Sequence, residues 1–317
     1  MKPPSSSDGP IARLRSDHPA RGALYIIGAA AAFSTMAVLI RHLSARLPNE
    51  VLVFWRSFFS LLFLMPWLLL RLSLRQLRTR RMHLHVMRAV SGLLSMYCLF
   101  FALGHMPIAA AMLLNQTATL FVPFIAFLLL REYVPRKVRW AIVTGFIGVV
   151  LVLKPGIGII SWPALIGLGS GLTAAFSVVT IRHSSRTEPA TRIVFYFCLY
   201  ATLGSAVPLL WSWVTPSVSE MPLLITMGAL ATTGQLLMTR GYASAPAAHV
   251  GPFTYSTIIF GVLYGWFIWN ETPGWTFWIG ALLIVSGGIM ALRGEWPDLE
   301  LKPAAQTPDG RDAPDNT

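Results

Sequence analysis

The apolar run at 108–130 is interrupted by Asn115, Gln116, Thr117 and Thr119, polar side chains for which a lipid-facing helix has no use. A second apolar run, 247–269, carries Thr254, Tyr255 and Ser256. Amides and hydroxyls offer both donors and acceptors, so such a group can hold a polar solute without covalent chemistry. At membrane depth these groups need partners. Two readings are open: they line a shared wet cavity, or they hydrogen-bond between helices as Ser, Thr, Asn and Gln routinely do. Thr232, Thr233 and Gln235 extend the set from another run, and Ser91, Ser95 and Tyr97 from a further one.

Arg56 stands near the start of the run 51–70, where a charge is costly unless paired or wetted. It either faces a cavity and holds a carboxylate or phosphate, or it snorkels to the interface beside Glu50. Arg88 begins the run 86–103 and invites the same two readings, the interfacial one being simpler. His249 is the titratable side chain in a candidate lining helix that could couple protons to a transport cycle. The candidate substrate-binding residues are thus Asn115, Gln116, Thr119, Thr254, Tyr255, Thr232, Gln235, Tyr97 and Arg56, with His249 as a proton-coupling candidate.

The missing residues are equally informative. All thirteen Asp and Glu residues lie in tails, loops or helix ends, leaving no midplane carboxylate for a proton relay or sodium site. Paired carboxylates, a His with an Asp, and a Gly-rich phosphate loop are absent, which makes a membrane-embedded transferase a remote alternative. Cys98 and Cys198 both fall inside apolar runs, without metal-ligand spacing. No cofactor, metal or catalytic residue is expected.

The elements that must position these side chains are membrane helices. The chain is 55% hydrophobic and 12% charged, against roughly 25% charged in a soluble protein, so much of its exterior requires lipid as solvent. The apolar runs predict ten spans, at 23–40, 51–70, 86–103, 108–130, 138–153, 163–181, 193–213, 222–239, 247–269 and 275–292. Trp55, Trp140, Trp162, Trp213, Trp269 and Trp275 fall near their ends, as an interfacial belt should. Pro123, Pro208 and Pro252 interrupt helices, and Gly167, Gly169 and Gly171 permit close helix approach. The N-terminal tail 1–22 lacks an apolar signal segment, and the tail 294–317 reads as disordered.

Placing the N-terminus in the cytoplasm leaves only Arg41, Arg46 and Lys154 outside, with Arg56 within a helix. Such a bias predicts both termini inside and an even number of spans. The net charge of +12 is explained by this orientation and not by nucleic acid. The chain also repeats: a shift of 139 lays 107–154 over 246–293, matching Pro107 to Pro246, Glu132 to Glu271 and Gly148 to Gly287. Five helices per repeat is an odd number, so the second repeat, 161–293, must be inverted relative to the first, 23–154. Inverted repeats let one central site open alternately to two sides.

These features resemble the EamA-like branch of the drug/metabolite transporter superfamily. The first half carries Phe54-Trp55-Arg56, then Pro107-Ile108-Ala109-Ala110-Ala111, Leu130-Arg131-Glu132 and Lys154-Pro155-Gly156. The second half answers with Ala245-Pro246-Ala247-Ala248, Asn270-Glu271 and Gly287-Gly288. The family usually has glycine before that glutamate; here Arg131 and Asn270 stand there. The resemblance implies an all-α integral membrane basket of ten helices, with a cavity lined by helices one, three, four, six, eight and nine. It also implies an inner-membrane transporter without cofactor, whose partners are a small solute and the lipid bilayer, with a homodimer left open. The expected function is export of an amphipathic metabolite, an amino acid or amino-acid-derived compound such as a metallophore. Import of a metabolite such as S-adenosylmethionine or riboflavin is the alternative.

Overall fold

The computed structural model describes residues 19–71, 79, 81–130, 136–153, 161–184, 188–244 and 251–293. Both tails, Arg131, Glu132, Lys154 to Gly156 and the segment 245–250 with Pro246 and His249 lie outside them. The described residues are helical almost throughout. In chain order the helices are α1 (Pro19–Leu43), α2 (Asn49–Arg71), α3 (Met82–His105), α4 (Ile108–Gln116), α5 (Ala118–Leu130) and α6 (Arg136–Leu153). They continue with α7 (Trp162–Ser184), α8 (Ala190–Ala206), α9 (Leu209–Ser212) and α10 (Met221–Ser244). A 3-10 turn (Gly251–Tyr255) then leads into α11 (Ser256–Trp269), and α12 (Trp275–Arg293) follows.

Five of these helical stretches are long and apolar enough to cross a membrane: Ala20–Leu43, Met82–His105, Ile108–Ile125, Trp162–Ile181 and Met221–Gly241. The protein is therefore an all-α, multi-pass membrane protein. Its exterior is apolar, with Leu210, Phe267 and Leu282 among many large side chains turned outward. Trp140, Trp162, Trp213 and Trp275 are exposed as an interfacial belt requires. Trp55 departs from that expectation. It packs on the core formed by α1, α2, α3 and α10, stacked on Phe59, with its indole N–H buried and unpartnered.

Two helix breaks shape the interior. The run read as one helix over 108–130 is interrupted at Thr117, whose hydroxyl donates to the Leu114 carbonyl at 2.5 Å. Hydroxyls compete with backbone donors in this way and loosen helices. Pro123, expected to interrupt this run, lies inside the continuous helix α5. The run at 247–269 changes from 3-10 to α geometry at Tyr255–Ser256, and Pro252 sits in that 3-10 turn. Under the 139-residue shift Gln116 corresponds to Tyr255 and Thr117 to Ser256, so both breaks fall at the same place in the repeat. Pro208 marks a third interruption, between α8 and α9.

Helix neighbours occur in matched sets. Helix α1 packs on α10 as α3 packs on α7; α2 packs on α10 as α8 packs on α3; α5 packs on α7 as α11 packs on α1. Helices α6 and α12 pack on each other through glycine. A Cβ on Gly148 would lie 2.6 Å from the Gly280 carbonyl oxygen and 2.9 Å from the Ile284 nitrogen. A Cβ on Gly287 would lie 2.6 Å from the Ala141 carbonyl oxygen and 3.0 Å from Gly145. Gly148 corresponds to Gly287, Ala141 to Gly280 and Gly145 to Ile284, so the contact is reciprocal. Of the three glycines in α7, Gly167 and Gly171 meet Leu114 and the Thr117 turn closely, whereas Gly169 faces open space.

Asn270 closes α11 with φ 51°, the left-handed conformation that favours glycine and tolerates asparagine. The departure from glycine noted in the sequence is thus conformationally conservative. It turns the chain so that the Glu271 N–H donates to the Gly265 carbonyl at 3.0 Å.

Because the Gly280 and Ile284 backbone and the Leu283 Cβ face Gly148, Gly148→Ala is expected to cost about 1–3 kcal/mol through overpacking. Gly169→Ala, with nothing within 4 Å, should be neutral or slightly stabilising. Thermal unfolding of the purified variants in detergent checks the pair; equal midpoints would remove the packing role of Gly148.

Candidate functional site

The two helix breaks meet. The 3-10 turn frees the Thr254 carbonyl, which accepts from Gln116 Nε2 at 2.9 Å and from Thr257 Oγ1 at 2.8 Å. Thr119 Oγ1 donates to the Gln116 carbonyl at 3.0 Å and lies 2.6 Å from the Tyr255 hydroxyl. The single Thr119 proton is committed to Gln116, so Tyr255 donates in the second bond. Space for that pair comes from Gly288, where a Cβ would collide with the Tyr255 hydroxyl. Asn115 Nδ2 reaches Ser170 Oγ on α7 at 3.1 Å, and Ser95 Oγ on α3 donates to the Ser170 carbonyl at 2.9 Å. Asn115, Gln116, Thr119, Thr254 and Tyr255 are therefore brought into one polar seam, with Ser170 as a member that the sequence did not single out. On the α1 side, Ser34 donates to the Thr257 carbonyl and Thr35 meets Tyr264 at 2.8 Å.

Thr232 and Gln235 belong to a second polar patch. They line a small cavity with Ser60, Cys198 and Leu64 between α2, α8 and α10. Ser60 and Thr232 hydroxyls are 2.9 Å apart. One helical turn before Ser60, on the same face of α2, stands Arg56, 4% exposed. Its guanidinium reaches Met96 sulfur at 3.4 Å, while its Nε has no partner. The interfacial reading with Glu50 is not the arrangement found. Tyr97, next to Met96, is half-buried with an unpartnered hydroxyl, and its carbonyl accepts from Asn49 Nδ2 at 2.9 Å. It lies beside this patch and makes no hydrogen bond to the seam.

Arg88 is also interior, against the simpler sequence reading. It donates to Ser177 on α7, stacks over Phe197 at 4.0 Å, and leaves its Nε unpartnered. His85, one residue ahead of the apolar run 86–103, is inside α3 and 1% exposed. Both its ring nitrogens lack partners, and the ring packs 4.6 Å from that of Tyr196. His249 lies outside the described residues.

Ion pairs occupy the helix ends. Arg41, at the end of α1, pairs with Glu271 and covers the Trp269 ring at 4.6 Å. Arg46 approaches Glu220 at 3.5 Å. The backbone N–H and side chain of Ser217 hold the Glu220 carboxyl below the usual carboxylate range, with Arg46 adding to them. At the start of α8, Glu188 accepts from Thr79 at 2.6 Å and pairs with Arg192. Burial pushes the Glu188 carboxyl up, but the Thr79 and Arg192 hydrogen bonds and the Arg192 charge outweigh it, so it lies below the usual range. Among the described residues no group of three or more His, Cys, Asp or Glu side chains gathers to hold a metal.

A multi-pass helical bundle with a polar interior, and polar groups drawn from both halves of the chain, defines a membrane permease. The chain belongs to the EamA-like transporter family, whose model matches residues 20–154 and again 161–293. It is 34% identical over 267 residues to a pseudopaline exporter (CntI) of Pseudomonas aeruginosa strain UCBPP-PA14, covering 83% of this chain and 93% of the relative. A riboflavin transporter of Rhizobium johnstonii is 32% identical over 287 residues, 89% of this chain and 94% of the relative. An S-adenosylmethionine uptake transporter of Rickettsia prowazekii is 24% identical over 270 residues, 85% and 91% of the two chains. A crystal structure of a protein 21% identical in sequence shares the fold, with a TM-score of 0.61 over 86% of this chain and 96% of that one.

The ionised Glu188 carboxylate accepts from Thr79 and pairs with Arg192, and protonation weakens both contacts. Its depressed folded-state value means that its stabilisation is fully present above the ordinary Glu value of about 4.3 and is lost as pH falls through the lower folded one. Thermal unfolding against pH should therefore show an acid limb that is shallower in Glu188→Gln than in the wild type. Superimposable acid limbs would exclude this role for Glu188.

Proposed function

We propose that this protein is an inner-membrane secondary exporter of a small amphipathic metabolite, an amino acid or amino-acid-derived compound such as a metallophore. Ten spans in two inverted five-helix repeats, 23–154 and 161–293, would carry it by alternating access, with both termini in the cytoplasm. The observation that carries the reading is the pairing of the two broken helices at equivalent positions, Gln116 to Thr254 and Tyr255 to Thr119. Discontinuous helices meeting at the repeat interface are how transporters build midplane sites. The reciprocal glycine contact and the matched helix neighbours support the inverted relation. Similarity to the pseudopaline exporter over most of both chains supports the direction and the substrate class.

In this reading Asn115, Gln116, Thr119, Thr254 and Tyr255 exchange their mutual hydrogen bonds for bonds to the substrate's polar head. Thr232, Gln235 and Tyr97 border the neighbouring patch, and Arg56 holds a carboxylate. His249 is the proposed proton-coupling group. Import of a metabolite such as S-adenosylmethionine or riboflavin is the second reading, supported by the S-adenosylmethionine uptake relative.

Mass spectrometry of spent medium and cell extracts, comparing a deletion strain with an overproducer, tests the direction. Export predicts a metabolite that moves from cells to medium with expression. Depletion of a supplied compound from the medium would establish import instead. Asn115→Ala and Tyr255→Phe should each lower flux about tenfold, the loss of one good substrate hydrogen bond, at unchanged membrane levels. Full flux in both variants would move the site away from the seam.

A further inference from the structure

Two guanidinium groups converge on one place in the interior, and no carboxylate among the described residues accompanies them. Arg56 of α2 and Arg88 of α3 are 4% and 9% exposed. They are electrostatic neighbours of each other and of Cys198, which stands at the centre of α8. Three described carboxylates are engaged elsewhere, Glu188 with Thr79 and Arg192, Glu220 with Ser217 and Arg46, and Glu271 with Arg41, and the fourth, Glu50, makes no ion pair with either arginine. The partners the arginines do have are neutral and weak for a full positive charge: a thioether, a hydroxyl and an aromatic face. Each guanidinium also retains a buried Nε with no partner.

Two like charges at membrane depth are expensive, and a structural arginine would be expected to bring its own counter-ion. A fork of donors left without an acid matches a ligand that supplies oxyanions itself. The cavity lined by Ser60, Cys198, Thr232 and Gln235 adjoins this spot and adds hydroxyl and amide groups for the rest of a polar head. Arg88 further reaches Ser177 on α7, the helix whose Ser170 bonds Asn115, so the charged place and the seam share a helix.

From this arrangement we infer that Arg56 and Arg88 form a paired anion subsite, and that the transported compound is an amino-polycarboxylate carrying at least two carboxylates. The inference rests on the exporter reading for the direction of transport only. One carboxylate is held by Arg56 and the second by Arg88, with neutralisation of the pair supplied by the cargo itself. The empty carrier thus holds an uncompensated positive pair, and binding of a dianion relieves it. A zwitterion with one carboxylate relieves half.

The test uses the full chain, purified in lipid nanodiscs, and three probes that differ in carboxylate number on one amine: glycine, iminodiacetate and nitrilotriacetate. Binding is read from the shift in unfolding midpoint across a concentration series, with inorganic phosphate as a fourth probe. Wild type should bind iminodiacetate and nitrilotriacetate at least about tenfold more tightly than glycine. Arg88→Gln should abolish that step while leaving the weak glycine response, and Arg88→Lys should retain part of it. The midpoint of each unliganded variant separates a folding defect from a binding one. Equal affinity for one and two carboxylates, no response to any probe, or an unchanged step in a folded Arg88→Gln would overturn the inference. A response to phosphate alone would overturn the carboxylate assignment. A binding step in wild type without any exported metabolite would remove the exporter reading and leave the subsite standing. Export of a monocarboxylate or neutral compound would do the reverse.

Discussion

A peptide group in hydrocarbon has no water to fall back on, so every helix break inside a membrane must be repaid by neighbouring protein. The interior of this protein is organised around two such debts. The Thr117 turn satisfies itself through its own hydroxyl, and the 3-10 turn leaves the Thr254 carbonyl to Gln116 and Thr257. Because each break needs polar company, each gathers polar side chains, and because the breaks face one another those side chains form a single seam. The small residue at Gly288 and the short α4 follow from that need. The polar seam in this fold is thus a by-product of satisfying backbone.

Sequence reasoning recovered what is local and periodic. The all-α, multi-pass membrane class was legible in hydropathy, and Asn115, Gln116, Thr119, Thr254 and Tyr255 stood out as polar interruptions of apolar runs. Asn270 is instructive, because its left-handed φ is one that asparagine tolerates and glycine favours. What stayed hidden depends on contacts between distant segments. Arg88 meets Ser177, 89 residues away, and nothing near either one signals it. Helix α3 begins four residues earlier than its apolar run suggested, and so takes in His85. The break at Thr117 was also missed. Proline is the usual marker of a kink, yet Pro123 is accommodated inside α5 while a threonine hydroxyl ends α4.

Polar matter in this bundle is sorted by kind. Neutral amides and hydroxyls occupy the seam between α4, α7 and the 3-10 turn. Positive charge without acid sits between α2, α3 and α8. Among the described residues acid paired with base is confined to helix ends, where Arg41 with Glu271 joins α1 to the end of α11 and Arg192 with Glu188 closes the start of α8. That separation follows from electrostatics: an ion pair at depth loses more in desolvation than it regains, whereas at the ends water and headgroups lower that cost. It leaves the interior with one sign of charge.

The reciprocal contacts of Gly148 with Gly280 and Ile284, and of Gly287 with Ala141 and Gly145, have a genetic corollary. Two codons 139 positions apart describe one patch of the molecule, seen once from each side. Backbone lies against backbone there, with the Leu283 Cβ also against Gly148, so no flexible side-chain end can swing away from an added methyl. A change in either half is therefore felt by the other, and drift at this patch is constrained twice over. The duplicated halves are free to diverge wherever they touch the cargo, but along this line they are bound to age together.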